Sequence, residues 1–190
     1  MQVQPSNLPI VIGVSGASGS IFAVRLLQIL RELNVPTHLV MSKAAELALS
    51  METDLSASEV KSLADVVYKV ADVGAAIASG SFLTRGMVIA PCSVRTWSEI
   101  ATGVTSSLLT RAADVTLKEQ RKLLLMIRET PLHLGHLRSL TSLAEMGAII
   151  APPVPAFYLK PQNIEEMVDQ TLDRVLDNFG LAREDVKRWS

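Results

Sequence analysis

The chain has 190 residues, 48% of them hydrophobic but only 4% aromatic, and its 18 Lys and Arg against 19 Asp and Glu leave a formal charge of −1. Balanced charge with no long basic run or basic helix argues against a nucleic-acid partner, and the length suits one domain spanning 1–190. A mean hydropathy of +0.31 calls for an aliphatic core and for apolar surface buried between subunits.

Aliphatic runs alternate with amphipathic stretches from end to end. Residues 10–14, IVIGV, read as a buried strand. Residues 20–33 follow as a helix with Phe22, Leu26, Leu30 and Leu33 at helical spacing, stopped by Asn34 and Pro36. A strand at 37–41 comes next, then Ser56 and Glu59 at capping-box spacing ahead of Val60 and Leu63. A weaker strand at 66–70 precedes a strong one at 87–90. Helices at 96–102 and 106–119, a strand at 122–127, a helix at 134–145 and a strand at 148–151 complete the alternation. The last helix, 164–179, ends before Gly180. This is the α/β pattern, and near-continuous apolar strands suit a doubly wound parallel sheet covered on both faces: a three-layer, Rossmann-like single domain.

Ligands of such sheets bind beyond the carboxyl ends of the strands. The segments there read SGASGS, SKAAE, PCSVRT, RETP and PPVPAFY, rich in hydroxyls and cations. The first loop has two readings, a tight turn that needs glycine or a phosphate cradle at a helix N-terminus. Its Gly13, Gly16 and Gly19 give G-x-x-G-x-x-G, neither the dinucleotide fingerprint nor the P-loop. Ser42 and Lys43 stand where a dinucleotide enzyme needs a ribose-binding carboxylate, which disfavours NAD.

Cys92 is the only cysteine, so no intrachain disulfide or thiolate cluster forms, and a reducing compartment is the default. It is either a small buried hydrophobe or a reactive thiol. Ser93, Thr96 and the adjacent Arg95 suit an anion. Arg128 and Glu129 form a structural ion pair, or Glu129 is a general acid or base in a partly dry pocket. His133 and His136 lie three apart without an evident third ligand, and His38 sits inside a strand, so no metal site is expected. No segment reaches the roughly 20 apolar residues of a membrane span, and the opening MQVQPSNLPI has no signal-peptide character; the chain reads as cytoplasmic.

The motifs GVSGASGS, MSKAAE, METD, PCSVRT, LLTRAADVTLKE, RETPLHLGHL and PPVPAFY, in this order, resemble the flavin prenyltransferase family of the UbiX type. The likeness covers nearly the whole chain. It implies a flavodoxin-related fold, a homododecamer, and FMN held at subunit junctions. The implied reaction joins a dimethylallyl group from dimethylallyl monophosphate to N5 and C6 of reduced FMN. Prenylated FMN then serves a separate UbiD-type decarboxylase in ubiquinone synthesis or aromatic-acid decarboxylation.

By the same resemblance, Gly16, Ala17 and Ser18 belong to the first FMN loop, Ser42 to the second, and Ser93, Val94, Arg95 and Thr96 to the third, with Arg128 contacting the flavin. Tyr158 and Arg174 match positions for the dimethylallyl phosphate, with Arg111 and Lys118 adding charge, partly from neighbouring subunits. Glu52 and Glu129 match active-site carboxylates and Trp189 a C-terminal aromatic. Ser18, Glu52, Lys118, Glu129 and Tyr158 are thus the implied catalytic set. Arg95, where many members have lysine, and Trp97, where leucine is common, depart from the pattern.

The chemistry agrees with the residues. There is no D-D-x-x-D motif to hold magnesium on a diphosphate. A monophosphate leaving group would be neutralised by Arg111, Lys118, Arg174 and Tyr158, which implies a metal-independent transfer. Two alternatives are a flavin-dependent decarboxylase of the same fold and a non-catalytic FMN-binding regulatory subunit. PCSVRT and PPVPAFY differ from the PASANT-like strand end and PxMNxxMW-like clamp of cysteine decarboxylases, and the retained phosphate cations argue against an inert subunit.

Overall fold

Parallel strands need long crossovers, and all but the one between Tyr68 and Gly86, which holds only a short 3-10 turn at Ala76–Ala78, carry an α-helix. The computed structural model describes residues 8–183 and 186. Its strands are β1 (Ile10–Val14), β2 (Thr37–Met41), β3 (Val66–Tyr68), β4 (Gly86–Cys92), β5 (Lys122–Ile127) and β6 (Ile149–Ile150). The helices are α1 (Ser20–Glu32), α2 (Lys43–Glu52), α3 (Ala57–Lys61), α4 (Val94–Ala101), α5 (Leu108–Lys118), α6 (Leu134–Glu145) and α7 (Ile164–Asp177). All strand pairs are parallel, in the order β3-β2-β1-β4-β5-β6. The order reverses between β1 and β4, which places the crevice of a doubly wound sheet there.

Alternate strand residues feed two cores. Ile10, Ile12 and Val14 of β1, with Leu39, Val88 and Leu124, pack against Leu26, Leu27 and Leu30 of α1 and Leu172 and Leu176 of α7. Val11, Val40, Ile89 and Leu125 face Trp97 of α4, Leu109 and Ala112 of α5 and Leu143 of α6 on the other side. The three layers expected from the sequence follow.

Most boundaries agree with the sequence to within two residues, and the capping box of Ser56 and Glu59 opens α3. Three differences matter. The strand expected at 87–90 runs on through Pro91 to Cys92, with a register shift between Ile89 and Cys92. Expected at 148–151, β6 pairs only over two residues. Finally, the SKAAE stretch is not a loop: Ser42 caps α2, which carries the chain to Glu52.

Candidate functional site at the switch point

Register brings the strand ends level. The Ser42 amide donates to the Val14 carbonyl at 3.0 Å, and the Arg128 amide to the Cys92 carbonyl at 3.1 Å, so four loops leave the sheet along one rim. Ser15 joins two of them across the switch point. It is 1% exposed; its hydroxyl donates to the Pro91 carbonyl at 2.8 Å and accepts the Ser93 amide at 2.7 Å.

The first loop needs its glycines for shape. A Cβ on Gly16 would lie 2.4 Å from the Cβ of Ala44 in α2, and Gly19 has φ +108, a conformation that side chains other than glycine rarely adopt. The amides that open α1 are already engaged. Gly19 and Ser20 donate to the Glu52 carboxylate at 3.0 and 2.8 Å, so the last residue of α2 fills the anion position at the N-terminus of α1. Partial burial pushes the Glu52 carboxyl up, but the Ser20 and Gly19 amides and the Ser18 and Ser20 hydroxyls outweigh it and hold the group below its usual range. Ser18 and Glu52 are thereby brought together.

Two further helices begin on the rim. Ser42 accepts the Ala45 amide at 3.1 Å and Ser93 the Thr96 amide at 3.5 Å, both serving as N-caps. Around them lies a cleft of about 630 Å³, bounded by Gly16, Ala17, Ser18, Ser42, Ser93, Val94, Arg95, Thr96, Arg128 and Glu129. This unites every expected cofactor contact with one of the two expected carboxylates. The cleft's far wall carries Ser106, Ser107, Thr110 and Glu99. Glu99 accepts Arg95 Nε at 2.8 Å and the Ser106 hydroxyl at 2.6 Å. Burial raises its carboxyl, yet Ser106, Arg95 and Thr110 together hold it low.

Arg128 and Glu129 are exposed at the cleft, with no ion pair between them among the described residues. The structural ion pair is therefore not formed, and both residues line the cleft just past Ile127, where β5 ends. Glu129 Oε1 accepts the Thr130 amide at 2.9 Å.

Five expected residues do not line this cleft: Glu52, which sits on the opening amides of α1, and four others. Arg111 binds Asp114 at 2.7 Å and the Ala78 carbonyl at 3.3 Å, and Lys118 pairs with Glu119. Tyr158 is 55% exposed in a short turn at Phe157–Leu159. Arg174, its side chain 74% exposed, pairs with Asp177 and borders a separate hollow of about 180 Å³ beside Pro152 and Val154. Trp189 lies outside the described residues.

Cys92 is a fully buried strand residue whose thiol burial pushes up, as expected of a small hydrophobe rather than a nucleophile. Trp97 is also buried and meets His136 edge to face. His133 accepts the His136 amide at 3.2 Å as the N-cap of α6, and the two imidazoles stack. His38 Nδ1 meets the Tyr68 hydroxyl at 2.8 Å. Among the described residues no three His, Cys, Asp or Glu side chains gather, and no helix is long and apolar enough to cross a membrane.

Two participants escaped the sequence reading. Ser15 had a signal in being a hydroxyl directly after a fully apolar strand, and Glu99 in its i,i+4 spacing from Arg95. The donor set suits a flavin mononucleotide. Hydroxyls from Ser42, Ser93 and Thr96 and cations from Arg95 and Arg128 surround a space within the usual range of a small-molecule site, about 300–1,000 Å³.

Comparison with known proteins agrees. The flavoprotein family pattern matches residues 2–176. Flavin prenyltransferase UbiX of Escherichia coli (strain K12) is 58% identical over 174 residues, 91% of this chain and 92% of the relative. A crystal structure of AnUbiX (PadA1) in complex with FMN and dimethylallyl pyrophosphate superposes with a TM-score of 0.95 at 46% identity, covering 97% of this chain and 98% of that one. A dodecameric FMN-dependent UbiX-like decarboxylase from Escherichia coli O157:H7 superposes at 0.94, also 46% identical, over 96% of this chain and 100% of that one. The chain therefore belongs to the flavoprotein family and, within it, to the flavin prenyltransferases of the UbiX type.

Proposed function

We propose that the switch-point cleft binds reduced FMN and that the enzyme transfers a dimethylallyl group from dimethylallyl monophosphate to flavin N5 and C6, without a metal. What carries this function is the cleft itself: hydroxyls and two arginines gather at the strand ends with no ribose-binding carboxylate after β2, in a chain of this family. Reduced FMN supplies the electron-rich N5 and C6 that take up the allyl group as its bond to phosphate breaks.

The protein's part is to hold phosphates and move a proton. Ser42, Ser93, Val94, Thr96, Arg95 and Arg128 bind FMN along with Gly16, Ala17 and Ser18. Glu129, exposed at the cleft mouth, exchanges a proton with the leaving phosphate, which departs as inorganic phosphate. Glu52 holds Ser18 and the opening of α1 in place, so that Ser18 can orient the flavin edge. Arg111, Lys118, Tyr158 and Arg174 lie outside the cleft of their own chain. They neutralise the leaving phosphate from neighbouring copies in a homododecamer. The product passes to a UbiD-type decarboxylase, in the cytoplasm.

The test is incubation with reduced FMN and dimethylallyl monophosphate under chelator, followed by mass spectrometry of the flavin. A flavin one prenyl unit heavier is expected. Bound FMN that stays unmodified in the intact assembly leaves a decarboxylase or an inert flavin carrier instead. Parallel runs with the diphosphate establish which donor is preferred.

A further inference from the structure

Arg95 and Glu99 stand four apart on α4, where an ion pair is usually a surface ornament of small energetic value. Their surroundings here are unequal. The Glu99 side chain is 17% exposed, wedged between α4 and the start of α5, while the Arg95 side chain is 83% exposed at the cleft. Glu99 uses Oε1 for Arg95 Nε and Oε2 for the Ser106 hydroxyl, so the carboxylate is fixed from two sides. Arg95 gives it only Nε. No group among the described residues takes its two terminal nitrogens.

From this geometry we propose that Glu99 is a positioning residue, which holds the Arg95 guanidinium over the cleft so that its terminal nitrogens bind the phosphate of the flavin nucleotide. The inference rests on the flavin reading above. A free arginine must surrender rotamer freedom to clamp a phosphate, whereas one tethered through Nε has already lost much of it. Arginine is the side chain able to do both at once, with Nε engaged on one edge and a planar pair of donors on the other; a lysine ammonium has a single centre for either task. Ser106 couples the tether to α5, so the cation is referenced to both walls of the cleft.

Riboflavin, which lacks the phosphate, separates this role from a general one in shaping the cleft. Oxidised FMN and riboflavin are titrated against the wild type, R95A, R95K, E99Q and R95A/E99Q, following flavin fluorescence, with thermal unfolding of the ligand-free proteins in parallel. R95A should weaken FMN by roughly tenfold or more. E99Q and R95K should each weaken it by about two- to tenfold. Riboflavin affinity should stay constant throughout, and E99Q should add nothing in the R95A background. Equal loss of riboflavin, additive effects in the double variant, or FMN binding by both E99Q and R95K at wild-type strength overturns the assignment while leaving the flavin reading intact. A wild type that binds neither flavin overturns both.

Discussion

The hydroxyl of Ser15 accepts the amide hydrogen of Ser93 at 2.7 Å, tying the loop after β1 to the N-cap of α4 across the switch point of the sheet. The same hydroxyl donates to the Pro91 carbonyl, so one buried side chain sets the relation between two walls of the cleft. Ser15→Ala removes the acceptor and leaves the Ser93 amide without its partner. A loss of about 1–2 kcal/mol in urea unfolding is expected, together with weaker FMN binding. Ser15→Thr, which keeps the hydroxyl, should recover part of both; full stability in the alanine variant would show the bridge to be dispensable.

Glu52 gives the protein an acid-sensitive element. Its carboxyl is held below the ordinary 4.5 by the donors at the start of α1, after burial has pushed the other way. The folded state therefore binds that proton less readily than the unfolded chain. Its stabilising contribution is complete above about pH 4.5 and disappears as pH falls through the lower folded value. Glu52→Gln should lower stability at neutral pH and flatten the acid limb of a stability profile measured from pH 7 down to 3. Parallel profiles for the two proteins would rule the linkage out.

Glu129 and Ser18 are expected to separate chemistry from binding. Glu129→Gln keeps the size of the side chain at the cleft mouth but cannot exchange a proton, so product formation should fall by about 100-fold or more with FMN still bound. Ser18→Ala should lower the rate more than the affinity, because the loop keeps its shape from Gly16, Gly19 and Glu52. Single-turnover rates alongside flavin titration distinguish these outcomes from simple loss of the cofactor.

Gly16 is required by its neighbour as well as by its place in the cleft lining. In Gly16→Ala the new methyl group meets Ala44 at 2.4 Å and forces α2 away from the loop, at about 1–3 kcal/mol. Ala44→Gly in the same chain should restore part of that loss, beyond its own helix penalty of about 1 kcal/mol. A double-mutant cycle by chemical denaturation measures the coupling, and additivity would place the strain elsewhere.

Much of the fold was legible because its signals are local. Five apolar runs of four to six residues marked the strong strands, and Ser56 with Glu59 marked a helix start that forms as a capping box. What misled was also local: the strand read at 87–90 continues through Pro91 to Cys92 across a register shift. SKAAE read as rim loop because its apolar periodicity is short, although Ser42 had the chemistry of an N-cap. The resemblance gathered residues from along the whole chain, of which the single chain brings ten around one cleft and leaves Glu52, Arg111, Lys118, Tyr158 and Arg174 outside its lining.

By itself, the sequence determined the α/β alternation, the parallel sheet, the exclusion of the common dinucleotide and P-loop cradles, and the membership in a flavin-handling family. These rest on periodicity and on motif spacing, which are written along the chain. Only the tertiary structure decided who satisfies whom on the rim. Glu52 takes the amides of α1, Ser15 bridges to Ser93, and Glu99 tethers Arg95 against α5. The first two join residues 32 and 78 positions apart, and a hydrogen bond between such distant partners is fixed by sheet order and register, which no local pattern encodes.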